Sequence, residues 1–223
     1  MPERWVGDRR TAPSRAAFAR VFDALPADAL CLSVGGGPLR AHSSFVNLNI
    51  GLFPNVDVVG DGYALPYSEN SIDALHCEAV LEHMEYPQRA VDEMFRVTRP
   101  GARAWVATPF LQMFHAYPDH YQNFTLGGHV RLFERAGFTI EEAGACVGPT
   151  FMLRDLLQGY LRHIVPGGRF GRVLSRVAGL ALLPFLFVDD LVGRRPASVV
   201  LASTTFLVAR KPPGNLDPSG GIP

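Results

Sequence analysis

The sequence has few cysteines, no excess of charge and no long apolar run. Its 223 residues include 3 cysteines, and none of them is in a C-x-x-C pair, which favours free thiols in a reducing compartment over a disulfide scaffold. Lysine and arginine together number 21, as do aspartate and glutamate. With a formal charge of zero, no global field attracts nucleic acid.

Membrane-spanning and secretory segments are also missing from the pattern. The longest uncharged apolar stretch, residues 177–188, contains Gly179 and Pro184 and is well below the ~20 residues that cross a bilayer. It indicates a buried or interfacial helix. Residues 1–10 are charged at several positions and lack the apolar run of a secretory signal, so we expect a cytoplasmic protein.

The composition is that of a folded globular chain. Hydrophobic residues make up 48% and charged residues 19%, which excludes a disordered tail protein and a coiled coil. We predict a single domain over residues 1–211 with a helical insert at about 150–195. The Pro/Gly-rich tail, residues 212–223, is expected to be disordered.

Short apolar segments alternate with helical patterns along the chain. A pattern of this kind predicts an α/β fold, a doubly wound and mostly parallel sheet covered by helices. The helical insert precedes the last strand, and ligands are expected beyond the carboxyl ends of the strands. The predicted strands are residues 29–34, 45–50, 56–59, 72–75, 102–107, a segment from 138, and 199–209. The predicted helices are one capped by Ser14, one over 79–97, and one capped by Thr125 that ends at Gly137.

Three glycines, Gly35, Gly36 and Gly37, follow the first predicted strand. Glycines there let the backbone come close to a ligand, and backbone N–H groups at the start of the next helix favour a carboxylate or phosphate. A dinucleotide fingerprint needs its third glycine at position 40, which is Arg40. A nicotinamide-dependent oxidoreductase is therefore disfavoured.

Four segments follow the glycines in a fixed order: VVGDGYALPY at 58–67, SIDAL at 71–75, VLEH at 80–83 and RVTRPG at 96–101. This series resembles the class I S-adenosylmethionine-dependent methyltransferases, specifically the small-molecule type 11 group, over roughly residues 30–138. The resemblance implies a seven-stranded Rossmann-like fold, S-adenosylmethionine as cofactor, and methyl transfer to an oxygen or nitrogen of a small molecule.

The resemblance also implies which residues hold the cofactor. The glycines at 35–37 match the loop at its methionine end, Asn49 stands where the ribose hydroxyls are held, and Asp61 with Gly62 matches the adenine contact. Glu78 and Glu82 are expected four apart on one helix face near the cofactor, with Glu82-His83 more architectural than catalytic.

The loop at 115–125 is dense in titratable and aromatic side chains, and a similar loop lies on the substrate side in relatives. We predict His115 or His120 as proton acceptor, and Tyr117, Asp119 and Tyr121 as substrate contacts. Hydrogen bonds that merely close the loop are the alternative. A metal site of His115, Asp119, His120 and His129 is conceivable, but no spacing is diagnostic, and we assign no metal.

Three positions depart from the family pattern: Ser33 replaces an acid, Leu39 the loop's last glycine, and Asn49 the ribose carboxylate. They motivate an alternative function, a protein that keeps the fold without methyl transfer and acts as a cyclase, an isomerase or a binding partner.

The predicted insert is rich in arginine. This composition suggests either peripheral contact with a membrane or lipid-linked substrate, or a solvated face on a helix that covers the pocket. No nucleic-acid partner is expected, and the sequence assigns no oligomeric state. Before the apolar run at Val177 the arginines are Arg154, Arg162, Arg169, Arg172 and Arg176, against the one acid Asp155 in that part.

Overall fold

The computed structural model describes residues 9–37, 40–116 and 118–214. Its strands form one seven-stranded sheet in the order β3-β2-β1-β4-β5-β7-β6. The strands β1 to β5 are parallel to one another, and β7 runs antiparallel to both β5 and β6. The predicted fold class is confirmed. The strands are β1 Cys31–Val34, β2 Phe45–Asn49, β3 Val58–Val59, β4 Ile72–Glu78, β5 Thr98–Pro109, β6 Thr139–Val147 and β7 Thr204–Arg210.

Helices cover both faces of the sheet, and the predicted helical insert lies between β6 and β7. Within the described residues no helix has the length and hydropathy to cross a bilayer. The helices of the body are α1 Ala12–Phe22, α2 Pro87–Val97 and α3 Leu126–Ala136; those of the insert are α4 Pro149–His163, α5 Arg169–Leu182 and α6 Val188–Val192, with 3-10 helices at Leu183–Phe185 and Pro196–Leu201.

Two apolar clusters fill the space between the sheet and the body helices. On one face, Leu32 and Leu75 of the sheet pack with Met94 of α2 and Phe133 of α3. On the other face, α1 packs against aromatic side chains of the sheet, including Trp105. Because both faces are covered, the central strands β1 and β4 are buried along most of their length, as is typical of parallel sheets.

Local signals explain where α3 begins and ends. The Thr125 hydroxyl accepts a hydrogen bond from Gly128 N at 3.1 Å, and Gly137 adopts φ 105° after the last turn, as the sequence predicts. For α1 the cap is Thr11, and the prediction of Ser14 was wrong. Ser14 is buried inside the helix with its hydroxyl 3.3 Å from Cys146 Sγ.

Two predicted segments differ from the structure. Residues 79–97 are not one helix, because β4 continues to Glu78, the backbone turns at Ala79 with φ 54°, and α2 begins only at Pro87. Glu78 and Glu82 therefore do not share a helix face. The last strand begins at Thr204 and not at 199, because its partner β6 ends at Val147, opposite Thr204.

Candidate active site

The glycine bend at the carboxyl end of β1 is shaped for close approach. Gly35 has φ 72° and a Cβ there would overlap the Val80 side chain, so the position requires glycine. A Cβ at Gly36 would lie 2.6 Å from Asn47 Oδ1, whereas no described atom lies within 4 Å of a Cβ at Gly37. The bend is therefore packed on one side and open at Gly37.

Asn49, at the end of β2, is bonded to the bend. Its Nδ2 donates to Gly36 O at 3.0 Å, and its Oδ1 accepts from Gly51 N at 3.2 Å. The amide thus fixes the distance between the ends of β1 and β2. Its predicted contact with ribose stays a prediction.

Asp61 and Gly62 follow β3 directly. Asp61 is exposed, and its Oδ1 accepts from Tyr63 N at 2.9 Å. Within the described part of the chain its second oxygen has no hydrogen-bond donor, so it can accept one from a ligand. Gly62 is buried, and a Cβ there would lie 2.5 Å from Met84 Cε, so a larger residue would require the flexible end of the Met84 side chain to move.

Ser33, where the family resemblance implies an acid, belongs to a buried polar pair. Ser33 Oγ lies 2.9 Å from His76 Nδ1 on the neighbouring β4. Glu78 Oε2 lies 3.4 Å from His76 Nε2. Ser33 is thus committed to the sheet interior, while the open glycine, the exposed carboxylate and the nearby backbone groups still fit an amino-acid and adenosine ligand.

A cluster of three histidines and one glutamate lies beside this edge. The loop after β5 folds over the 3-10 turn Leu81–His83, and Tyr121 N donates to the Glu82 carbonyl at 2.9 Å. The ring centroids of His115 and His120 are 4.5 Å apart, and those of His83 and His115 are 5.1 Å apart. Glu82 is completely buried beside them.

Backbone carbonyls fix the orientation of two of these rings. His115 Nδ1 donates to Met113 O at 3.0 Å, and His83 Nδ1 donates to Asp119 O. In the neutral rings each Nε2 then carries a lone pair. These Nε2 atoms lie 3.7 Å and 3.6 Å from Glu82 Oε1, which is too long for hydrogen bonds.

His120 uses both of its ring nitrogens within the loop. Its Nδ1 accepts from His115 N at 3.1 Å, and its Nε2 lies 2.7 Å from Asn123 Oδ1. The geometry makes His120 a support for His115. Its catalytic role stays a prediction.

Glu82 is the functional candidate that sequence reasoning undervalued. Burial, followed by the charge of Glu78, raises the pKa of Glu82 to about 7. Burial also lowers the pKa of His83, with the neighbouring His115 and His120 acting in the same direction. Because the Glu82 carboxyl titrates near neutral pH, the cluster can take up or release a proton there. The burial of Glu82 depends on tertiary contact with the loop after β5, so residue spacing in the sequence could not predict it.

The remaining predicted residues are less closely gathered. Tyr121 is 53% exposed and Asp119 is exposed beside the cluster, whereas Tyr117 lies outside the described residues. His129 is buried in the core, where burial lowers its pKa to about 3 and Nδ1 is 3.3 Å from Thr205 Oγ1. The four-residue metal set considered from sequence is therefore not assembled around one point.

A cavity of about 650 Å³ lies at the opposite, amino edge of the sheet. Its lining includes Asp28, Asp73 and Arg99, and Arg99 forms an ion pair with Asp73. No described histidine lines it. Ligands of doubly wound sheets bind at the carboxyl edge, so we place the candidate site at the glycine bend and histidine cluster, despite the volume at the other edge.

Comparison with known sequences places a family match across this edge. Residues 40–106 match the family model described as "Methyltransferase domain". The demethylmenaquinone methyltransferase of Renibacterium salmoninarum is 42% identical over 55 residues, 24% of this chain and 23% of that protein. An uncharacterized methyltransferase of Mycolicibacterium gilvum is 34% identical over 118 residues, 44% of this chain and 46% of that one. The matches thus cover less than half of these relatives' own length.

Solved structures share the fold over nearly the whole chain. The (4+2)-cyclase SpnF superposes with a TM-score of 0.56 at 18% identity, covering 93% of this chain and 84% of that one. The 1,6-didemethyltoxoflavin-N1-methyltransferase of Burkholderia thailandensis, solved with S-adenosylhomocysteine, gives 0.56 at 13% identity, with 94% and 81% covered. At such identities the likeness shows the fold alone.

Proposed function

We propose that this chain is a class I S-adenosylmethionine-dependent methyltransferase and that it transfers a methyl group to an oxygen or nitrogen of a small molecule. The observation that carries the proposal is the family match over residues 40–106, which includes Asn49, Asp61 and Gly62 at the carboxyl edge of the sheet. That edge holds the glycine bend and the exposed Asp61 carboxylate.

S-adenosylmethionine, when bound, supplies an electrophilic methyl group on a sulfonium. The open backbone at Gly37 would face its amino-acid portion, Asp61 would accept from the adenine amino group, and Gly62 would donate its backbone N–H nearby. Asn49 would fix the bend against β2, through the bond to Gly36. The chain's task is then to align the acceptor and exclude water, since holding two reactants in the right geometry removes a large entropic part of the barrier.

An O–H or N–H acceptor must also lose a proton. His115 presents an unprotonated Nε2 at 3.7 Å from Glu82 Oε1, so this pair can receive the proton from the acceptor. Tyr121 and Asp119 would contact the acceptor at the exposed rim. Since His120 already uses both ring nitrogens, we favour His115 as the base.

Asp61→Ala tests the cofactor site. We expect the dissociation constant for S-adenosylmethionine, measured by titration calorimetry, to rise about tenfold or more, because a hydrogen bond to a charged group contributes about 1.5–3 kcal/mol. Asp28→Ala, at the opposite edge of the sheet, should leave it unchanged. Equal affinity in wild type and Asp61→Ala would remove Asp61 from the site.

The proton acceptor is tested by a screen of phenols, carboxylic acids and amines for S-adenosylhomocysteine release. With any acceptor found, His115→Ala should lower turnover by a factor of about 100 or more and spare cofactor affinity. His120→Ala should have the smaller effect. Full turnover in both variants would rule out a histidine base.

A cyclase, isomerase or binding function on the same fold is the second candidate. The structural likeness to a cyclase and the internal use of Ser33 and Asn49 favour it. The same calorimetry separates the two functions. Millimolar or absent S-adenosylmethionine binding by the wild type would support the second and overturn methyl transfer.

We further propose that the insert lies on an anionic bilayer and gives the site access to a lipid-linked acceptor. On α5 the apolar Phe170, Val177 and Leu180 are 57–65% exposed, and Arg172 and Arg176 are exposed on the flank of this apolar face. An apolar face bordered by arginines suits the boundary between headgroups and acyl chains.

Vesicle co-sedimentation tests this contact. Wild type should bind vesicles containing phosphatidylglycerol more strongly than pure phosphatidylcholine vesicles. Arg172→Gln/Arg176→Gln should reduce the preference, and Arg131→Gln on α3 should not. Failure to bind either vesicle, or concentration-dependent dimerisation that covers the face, would contradict membrane contact.

A further inference from the structure

We propose that Glu82, His83 and His115 form a binding site for a first-row divalent transition-metal ion. One carboxylate oxygen and two imidazole nitrogens from these residues all lie within 4.8 Å of one another. Glu82 and His83 lie in the 3-10 turn Leu81–His83, and His115 lies in the loop folded over that turn.

The separations fit ligands around a common centre. Nitrogen and oxygen ligands at ~2.1 Å from zinc in a tetrahedron are about 3.4 Å from one another. The His83 and His115 Nε2 atoms are 3.6 Å and 3.7 Å from Glu82 Oε1. These distances are beyond hydrogen bonding yet close to the edge of a coordination tetrahedron.

The surroundings orient the donor atoms. Both Nδ1 atoms donate to backbone carbonyls, of Met113 and Asp119, and this leaves both Nε2 lone pairs for a ligand. Such a bond from the remote ring nitrogen is the usual outer contact of a metal-binding histidine. His120 adds support, since its Nδ1 holds the backbone of His115.

Glu82 supplies the independent observation. Its side chain is 0% exposed, and neither carboxylate oxygen has a hydrogen-bond partner among the described residues. A buried carboxylate without donors is unfavourable unless it is protonated or paired with a cation. A metal ion at the centre of the three donors would provide that pairing and would compete with the proton.

Two imidazoles and one carboxylate define the class of ion. This donor set suits zinc, iron(II), cobalt(II) or nickel(II), and three protein ligands leave at least one position open. When the ion is bound, His115 Nε2 is a ligand and no longer a base; an oxygen of the small molecule would take the open position, and the ion, in place of His115, would lower the pKa of that bound hydroxyl. This last role rests on the proposed function, whereas metal binding does not.

The test is a titration of chelator-treated protein with cobalt(II), followed by ligand-field absorption, without S-adenosylmethionine. Wild type should bind one equivalent, and zinc should displace it. His115→Ala and Glu82→Gln should weaken binding at least tenfold, and His163→Ala on α4 should bind like wild type.

His115 is 37% exposed on a loop, so His115→Ala should keep the far-UV circular dichroism and melting temperature of wild type and remain interpretable even where Glu82→Gln unfolds. Absence of a one-equivalent site in wild type, or wild-type affinity in folded His115→Ala, would overturn the proposal. Cofactor affinity, measured separately with Asp61→Ala, shows independently whether the proposed methyl transfer fails.

Discussion

The sheet body and the helical insert are both rich in apolar residues, but the body buries its large apolar side chains and the insert exposes many of its own. In the body, Leu32, Leu75 and Trp105 are 0% exposed. In the insert, Leu153, Phe170 and Leu180 are 60–65% exposed. Apolar periodicity therefore predicts that a helix forms, but burial of its apolar face requires a neighbouring surface.

Small residues mediate the internal packing of the insert. Gly171, Ser175 and Gly179 recur every fourth residue on the buried face of α5, and a Cβ at Gly171 would lie 2.5 Å from the Leu161 carbonyl of α4. The two helices thus approach closely through small side chains while the large ones face outward. The exposed apolar side chains are therefore not needed for the contact between α4 and α5.

The largest effect is expected from truncating the body. Leu75→Ala should lower the free energy of unfolding by about 2–5 kcal/mol, because it removes buried contacts and leaves a cavity. Urea unfolding measures the loss. A loss below about 1 kcal/mol would show that the body packs as loosely as the insert.

Lowering the pH should reduce the free energy of unfolding through His129, a buried residue of the body, by a smaller amount than Leu75→Ala. The native pKa of His129 is about 3, below the ~6.5 of an unfolded histidine, so its contribution is complete above pH 6.5 and is lost as the pH falls toward 3. By pH 5 the contribution of His129 to the free energy of unfolding should have fallen by about 2 kcal/mol, at ~1.4 kcal/mol per pH unit. Glu82 acts in the opposite direction, because its raised native pKa favours folding below pH 7.

Since Glu82 is unchanged in His129→Gln, the difference between the two stability-against-pH curves reports His129. His163 on α4 is exposed, and His163→Gln should leave the curve of the wild type unchanged. Parallel curves for wild type and His129→Gln would mean that His129 is not buried in the neutral form.

The smallest effect is expected on the exposed face. Leu180→Ala should change the free energy of unfolding by less than ~0.5 kcal/mol, as is usual for surface substitutions, while weakening vesicle binding. Urea unfolding and co-sedimentation on the same preparation check both parts. A destabilisation as large as that of Leu75→Ala would show that another part of the chain covers this face in solution.

Most of the fold could be predicted from sequence, because alternating strand and helix patterns leave few topologies and Thr125 and Gly137 mark helix ends locally. The active-site cluster could not. The burial of Glu82 depends on a loop distant in sequence, and the pairing of Ser33 with His76 depends on the register of β1 and β4. Neither contact can be predicted from the spacing of residues in the sequence.

The position of β7 in the sheet determines when the sheet can finish folding during synthesis. Among the strands of the described chain β6 pairs with β7 alone, apart from a bridge between Val147 and Arg10, and β7 is translated after the whole insert. During synthesis β6 therefore has no neighbouring strand while the apolar helices of the insert emerge, and the sheet closes only when residues 204–210 enter between β5 and β6. Nascent chains stalled before residue 204 should accordingly be the form most in need of chaperones.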